Sequence, residues 1–165
     1  MNFTLVDRIA ELVPGKSIRT IKQVSMAEEY LADHFPGFPV LPGVMMLESA
    51  VEAASWLVYE HTQFAKSLVV LKEARQIRYG NFVAPGETLV ITAEAVRIEP
   101  LESEFKIRGM VGNATAIQGK MILSHVNLSD TDTAMTMVDD KIIQRRKARW
   151  AILQRSPSTA PQAEA

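Results

Sequence analysis

The densest apolar stretch runs from Gly43 to Thr62. Val44, Leu47, Ala50, Val51, Ala54, Leu57 and Val58 recur there at helical spacing, and from Val44 to about His61 nothing breaks a helix. At 1.5 Å per residue this predicts a central helix of about 30 Å. So apolar a helix belongs in the interior. Ser49, Ala50, Ala53, Ala54 and Ser55 are small enough for strands to pack closely on it. Glu48 and Glu52 interrupt the run one turn apart, on one face.

Around this helix the pattern alternates with a period of two, as half-buried strands do. Strands are predicted at Ser17–Val24, at Leu68–Leu71 continuing to Tyr79, at Glu87–Ile98, at Glu104–Val111 and at Ala114–Leu128. Pro14-Gly15-Lys16, Pro85-Gly86, Glu99-Pro100 and Gly112-Asn113 mark the turns. Residues 3–13, with Phe3, Leu5, Val6, Ile9, Ala10, Leu12 and Val13 apolar, read as a helical turn or extended arm followed by a strand toward Leu12. Ser25 and Glu28 have capping-box spacing and predict a short helix from Met26 to about Ala32. A strand, a long helix and then antiparallel strands make an α+β plan over residues 1–128. Polar residues 129–133 then lead into a basic helix at Val138–Arg155, carrying Lys141, Arg145, Arg146, Lys147, Arg149 and Arg155. This helix either packs on its own domain or a partner subunit, or offers a dock to an acidic protein or membrane surface. The Pro-, Ser- and Ala-rich stretch 156–165 is expected to be disordered.

Composition narrows the choice of class. The 165 residues suffice for one domain with a real core, and 47% hydrophobic with 22% charged is ordinary for a globular protein. A net charge of −1 offers no argument for nucleic acid. The absence of cysteine removes disulfides, thiol nucleophiles and thiolate metal sites. His34, His61 and His125 lie too far apart in sequence for a metal-ligand motif. No apolar run reaches the roughly 18 residues of a membrane span. The opening Met-Asn-Phe-Thr-Leu-Val-Asp-Arg is charged where a signal peptide is apolar, so the cytoplasm is the expected location.

The candidate chemistry lies in residues 34–48, His-Phe-Pro-Gly-Phe-Pro-Val-Leu-Pro-Gly-Val-Met-Met-Leu-Glu. Pro36 and Pro39 keep their neighbours extended, and Pro42 suits the first turn of a helix. The segment therefore reads as a rigid loop holding His34 and feeding a helix with Glu48 in its second turn. Histidine exchanges protons near neutral pH, and a carboxyl on an apolar helix can serve as an acid. The free N–H groups at the helix start, beside Gly43, suit a developing oxyanion. These parts serve proton abstraction next to a carbonyl. A loop histidine is more often structural than catalytic, and that alternative stands at this point.

The His-Phe-Pro-x-x-Pro loop, the Pro-Gly-Val step and the 14 residues from His34 to Glu48 (48 − 34) resemble the FabZ-type 3-hydroxyacyl-[acyl-carrier-protein] dehydratases. The resemblance covers roughly Phe3 to Leu128, includes Leu5-Val6-Asp7-Arg8 and Val83-Ala84-Pro85-Gly86-Glu87, and is most specific over residues 34–48. It departs at Glu52, where the family usually carries Gln. It implies a hot-dog fold, an antiparallel sheet wrapped around a long central helix, here with a C-terminal helical extension. The implied reaction takes a (3R)-3-hydroxyacyl chain on the phosphopantetheine of acyl carrier protein to the trans-2-enoyl thioester. His34 would be the base at C2, Glu48 the acid at the 3-hydroxyl, and the Gly43 N–H the thioester-oxygen donor. No metal or redox cofactor is implied. The family site forms across a homodimer, and a trimer of dimers is a further assembly the sequence leaves open.

Phe35, Val44, Tyr79 and Phe82 are candidate acyl-tunnel residues, with core packing the alternative for Tyr79 and Phe82. Lys72, Arg75 and Arg78 are candidate contacts to the acidic carrier, against scattered surface charge. Three competing functions remain. A hot-dog acyl-thioester hydrolase would lack this His-Phe-Pro loop. A non-catalytic acyl-carrier-binding module would not need both His34 and Glu48. A FabA-type isomerising enzyme carries Asp at the position of Glu48.

Overall fold

The computed structural model describes residues 4–155. Phe3 and the expected disordered tail, 156–165, lie outside them. The strands are β1 (Arg8–Val13), β2 (Ser17–Gln23), β3 (Leu68–Tyr79), β4 (Thr88–Ile98), β5 (Glu102–Val111) and β6 (Ala114–Val126). The helices are α1 (Gly43–His61) and α2 (Thr136–Leu153), with short 3-10 turns at Glu29–Ala32, Leu128–Asp130 and Thr133–Met135. One antiparallel sheet has the order β1-β2-β4-β5-β6-β3, and α1 packs against β2, β3, β4, β5 and β6. This is the hot-dog architecture.

The alternation of the strands explains why the sheet closes on α1. On β4, Leu89, Ile91 and Ala93 are buried, and on β5 Phe105 and Ile107 are buried. They meet Ala50, Ala53, Ala54, Leu57 and Val58 of α1 in one core. At Gly109 a Cβ would come within 2.6 Å of the Ile117 side chain and 2.8 Å of Ile91, so the residue keeps the sheet's inner face open at that point. β3, at one end of the sheet, pairs only with β6, and the register shifts at Leu71/Glu73 and Arg75/Arg78.

Two local expectations are corrected. Pro42 is the N-cap of α1 and not a residue of its first turn: its ψ of 141° is extended, and its carbonyl accepts the N–H groups of Met45 and Met46. The Ser25–Glu28 capping box does not form, and the predicted helix shrinks to the 3-10 turn at Glu29–Ala32. Lys22 projects from β2 into the interior, 4% exposed, and Glu28 is its ion-pair partner, with Asp7 at 3.8 Å. A buried ammonium demands a carboxylate more strongly than a helix start does. Among the described residues, Ser25 Oγ accepts the Ala27 N–H alone, at 3.2 Å.

The C-terminal helix is fastened at both ends. Near its start the buried Asp139 carboxylate accepts the Ser67 hydroxyl and the Leu128 and Ser129 N–H groups, the last two at 3.0 and 2.9 Å. Toward its end Trp150 stacks on Trp56 at 5.8 Å between ring centroids, and Leu153 is buried. Burial alone would raise the Asp139 pKa, but the hydrogen bonds from Ser67, Ser129 and Leu128 hold it well below the usual aspartate range. A carboxylate with a depressed folded pKa stabilises the fold above its unfolded value, about 3.9, and loses that contribution as pH falls below it. Asp139→Asn should therefore lower the Tm most near pH 7, with the deficit shrinking below about pH 3.9, in thermal unfolding followed by circular dichroism.

Candidate active site

The loop before α1 holds His34 by its backbone. Phe35 and Phe38 exchange N–H···O bonds at 3.2 and 2.9 Å, the Val40 N–H donates to the His34 carbonyl at 3.1 Å, and Gly37 supplies the turn's φ of +83°. The His34–Phe35 peptide is cis. His34 Nδ1 lies 3.2 Å from the Val40 carbonyl. A carbonyl only accepts, so this bond requires the proton on Nδ1, leaving Nε2 with a free lone pair.

His34 lines a cavity of about 350 Å³ together with Phe35, Gly43, Met46, Tyr79 and Phe82; Leu41, Gly80 and Asn81 complete its wall. Gly43 is the first residue of α1, where backbone N–H groups have no intrahelical acceptor. A Cβ on Gly43 would sit 3.1 Å from the Tyr79 ring. Burial raises the Tyr79 phenol's pKa. The cavity's rim is apolar and exposed, with Phe38 and Phe82 edge to face at 5.6 Å. Val44, 70% exposed, lies outside the lining.

Glu48 sits elsewhere. At 3.6 residues per turn, Glu48, Val51, Glu52 and Ser55 share one stripe of α1, and Gly43 and Met46 another. Glu48, exposed in the single chain, borders a cavity of about 480 Å³ with Leu5, Glu52, Trp56, Tyr59 and Arg146. One chain therefore keeps His34 and Glu48 in different cavities. Glu52 accepts the Leu5 N–H at 3.0 Å. Burial pushes its pKa up, as does the charge of Glu48, while Leu5, Arg149 and Trp56 pull it down. The buried Trp56 indole N–H has no hydrogen bond of good geometry among the described residues; its near acceptor is this carboxylate.

The candidate carrier contacts separate. Lys72 pairs with Glu102, and Arg75 pairs with Glu73 through two bonds of 2.7 and 2.6 Å. Arg78 borders a shallow cleft with Lys106 and Lys120, and among the described residues none of these three has an ion-pair partner. Sequence reasoning missed Met46, Gly80 and Asn81 in the His34 cavity, and Tyr59 and Arg146 beside Glu48. The Gly80-Asn81 break after β3 was the available signal for the first group. The second group comes together only through tertiary packing. Among the described residues no cluster of three or more His, Asp or Glu is placed to hold a metal, and no helix is long and apolar enough to cross a membrane.

A hot-dog sheet around one helix, with a histidine loop at that helix's N-terminus and a carboxylate in its second turn, is the arrangement expected of an acyl-thioester dehydratase. The FabA-like domain model matches residues 1–125. The 3-hydroxyacyl-[acyl-carrier-protein] dehydratase FabZ of Albidiferax ferrireducens is 35% identical over 122 residues, covering 72% of this chain and 81% of that protein. The FabZ of Levilactobacillus brevis is 34% identical over 137 residues, 83% of this chain and 86% of that one. The chain belongs to the FabA-like family, among its FabZ-type 3-hydroxyacyl-[acyl-carrier-protein] dehydratases.

Solved structures agree on the fold. The dehydratase heterocomplex ApeI:P from Xenorhabdus doucetiae aligns with a TM-score of 0.65 at 16% identity, covering 81% of this chain and 90% of that one. Zebra fish thioesterase superfamily member 2 aligns at 0.55 and 18%, covering 71% and 79%. Such different neighbours carry the fold and leave the chemistry to the site.

The wall of the His34 cavity yields one stability test. A Cβ on Gly80 would meet the backbone oxygen of Thr115 at 2.5 Å, and backbone cannot swing aside as a side-chain end can. Gly80→Ala should cost about 1–3 kcal/mol in urea unfolding.

Proposed function

We propose that this chain dehydrates (3R)-3-hydroxyacyl-[acyl carrier protein] to the trans-2-enoyl thioester in fatty acid biosynthesis. The observation that carries the reading is His34, its Nδ1 tied to Val40 and its Nε2 free, in one cavity with the N-terminus of α1. Nε2 takes a proton from C2. Negative charge moves onto the thioester oxygen, which the Gly43 N–H holds. Glu48 donates its proton to the 3-hydroxyl, which leaves as water, and the electron pair from the C2–H bond becomes the C2=C3 double bond. No net oxidation occurs, so the chain's own side chains suffice.

A homodimer completes this site, with His34 from one copy and Glu48 from the other. The outer edge of β3 has unpaired backbone groups, which a second copy's β3 would satisfy. Such a pairing also covers the exposed aromatic rim. A trimer of dimers is compatible with it. Phe35, Tyr79 and Phe82 line the acyl path. Val44, on the exposed side of α1, would join that path through the partner. Arg78, with Lys106 and Lys120, is the better carrier contact, because Lys72 and Arg75 already pair with acids. The reaction takes place in the cytoplasm.

Hydration of crotonyl-[acyl carrier protein], followed by loss of enoyl absorbance, tests the chemistry. His34→Ala and Glu48→Ala should each lower the rate by about 100- to 10,000-fold. Mixing the two inactive variants under subunit exchange should restore about a quarter of parental activity, because random pairing in a two-fold dimer rebuilds one site in half of the dimers. Release of free carrier thiol without hydration would favour the hydrolase, and neither reaction at any chain length would favour the binding module.

A further inference from the structure

The helix beyond the family match reaches the Glu48 cavity. The FabA-like match ends at residue 125, and α2 covers Thr136–Leu153. Arg146 of α2 nevertheless lines the cavity bordered by Glu48 and Glu52. A second cavity, about 380 Å³, adjoins it: Glu52, Trp56 and Arg146 line both, and Thr4, Ile142, Arg145 and Arg149 bound the outer one.

Two carboxylates one turn apart repel each other, and each disfavours ionisation of the other. Against them α2 sets three guanidinium groups, which never lose their charge near neutral pH. Two of these are fixed. Arg146 Nε donates to the Ser67 carbonyl at 2.9 Å, and its guanidinium lies 4.7 Å from the centre of the Tyr59 ring. Arg149 donates to the Val6 carbonyl at 3.3 Å, and its charge acts on Glu52. The other groups around the pair are the Leu5 N–H, which donates to Glu52, the Trp56 indole N–H, Thr4 at the outer cavity, and Tyr59, whose hydroxyl accepts the Val69 N–H at 2.9 Å. Val69 on β3 adds only apolar wall.

We propose that Arg146, backed by Arg149 at Glu52, is a positioning residue for the Glu48 carboxylate, so that α2 belongs to the reaction site as well as to the fold. The inference rests on the dehydratase reading above. In the hydration direction Glu48 works as a carboxylate that takes a proton from water, so its protonation sets the acid limb of the pH profile. His34 sets the alkaline limb. A guanidinium that shares a cavity with a carboxylate favours the charged form, and a second carboxylate disfavours it.

The test is the pH profile of kcat for hydration of crotonyl-[acyl carrier protein] by the full chain. Arg146→Met keeps the packing on Tyr59 and removes the charge, and should move the acid limb up by roughly one pH unit. Glu52→Gln should move it down by a similar amount. Arg146→Lys should keep the parental limb even where kcat falls. Lys141→Met, on the exposed face of α2, should move nothing. The alkaline limb should stay put in all four. Acid limbs that coincide with the parent's, or that move the same way in Arg146→Met and Glu52→Gln, overturn the proposal and leave the dehydratase reading intact. If Arg146→Met does not fold, Arg146→Lys and Glu52→Gln decide alone: a parental limb in the first with a lowered limb in the second supports the proposal, and any other pair of results overturns it. A folded parent that hydrates nothing at any pH overturns both.

Discussion

Burial of α1 against the inner face of the sheet is the constraint on which everything else depends. Trp56, Leu57 and Val58 are at most 2% exposed, and Ala50, Ala53 and Ala54 are wholly buried. Burying each large side chain is worth about 1.5–3 kcal/mol, so the helix has one rotational setting and little freedom to slide. That setting fixes where Gly43 presents its N–H and which way the Glu48 stripe faces. The His34 loop is tied to the same frame, because the Leu41 N–H donates to the Val83 carbonyl at 2.8 Å.

The same rotation keeps His34 and Glu48 apart within one chain. Gly43 and Met46 look into the His34 cavity, while Glu48 and Glu52 look into another. Among the described residues the single chain leaves the Glu48 carboxylate exposed, an aromatic rim open to solvent and the outer edge of β3 without a neighbouring strand. In the proposed dimer a second copy set along β3 would remedy all three.

Much of this was legible because period and breaker signals are local. The run from Gly43, the alternation on β4 and β5, and the turns at Pro85-Gly86 and Gly112-Asn113 each need only near neighbours to be read. Legibility failed where a distant partner decides. Glu28 looked like half of a capping box but answers Lys22, whose inward orientation no local pattern reveals. Pro42 moved by one position because its carbonyl, and not its ring, opens the helix. Arg146 looked like one more charge on a basic helix. Tertiary packing, with the Trp150–Trp56 stack and the Asp139 anchor fastening α2, brings it to the cavity that Glu48 borders.

The central claim is that substrate is held between His34 of one protomer and Glu48 of its partner. A crystal structure with a stable 3-hydroxyacyl-pantetheine amide bound would test it most directly. The account predicts a β3-joined dimer, with the C2 carbon against Nε2 of His34 of one protomer and the 3-hydroxyl against the carboxylate of Glu48 of the other. A ligand held by His34 and Glu48 of the same chain, or one lying away from both, would contradict it.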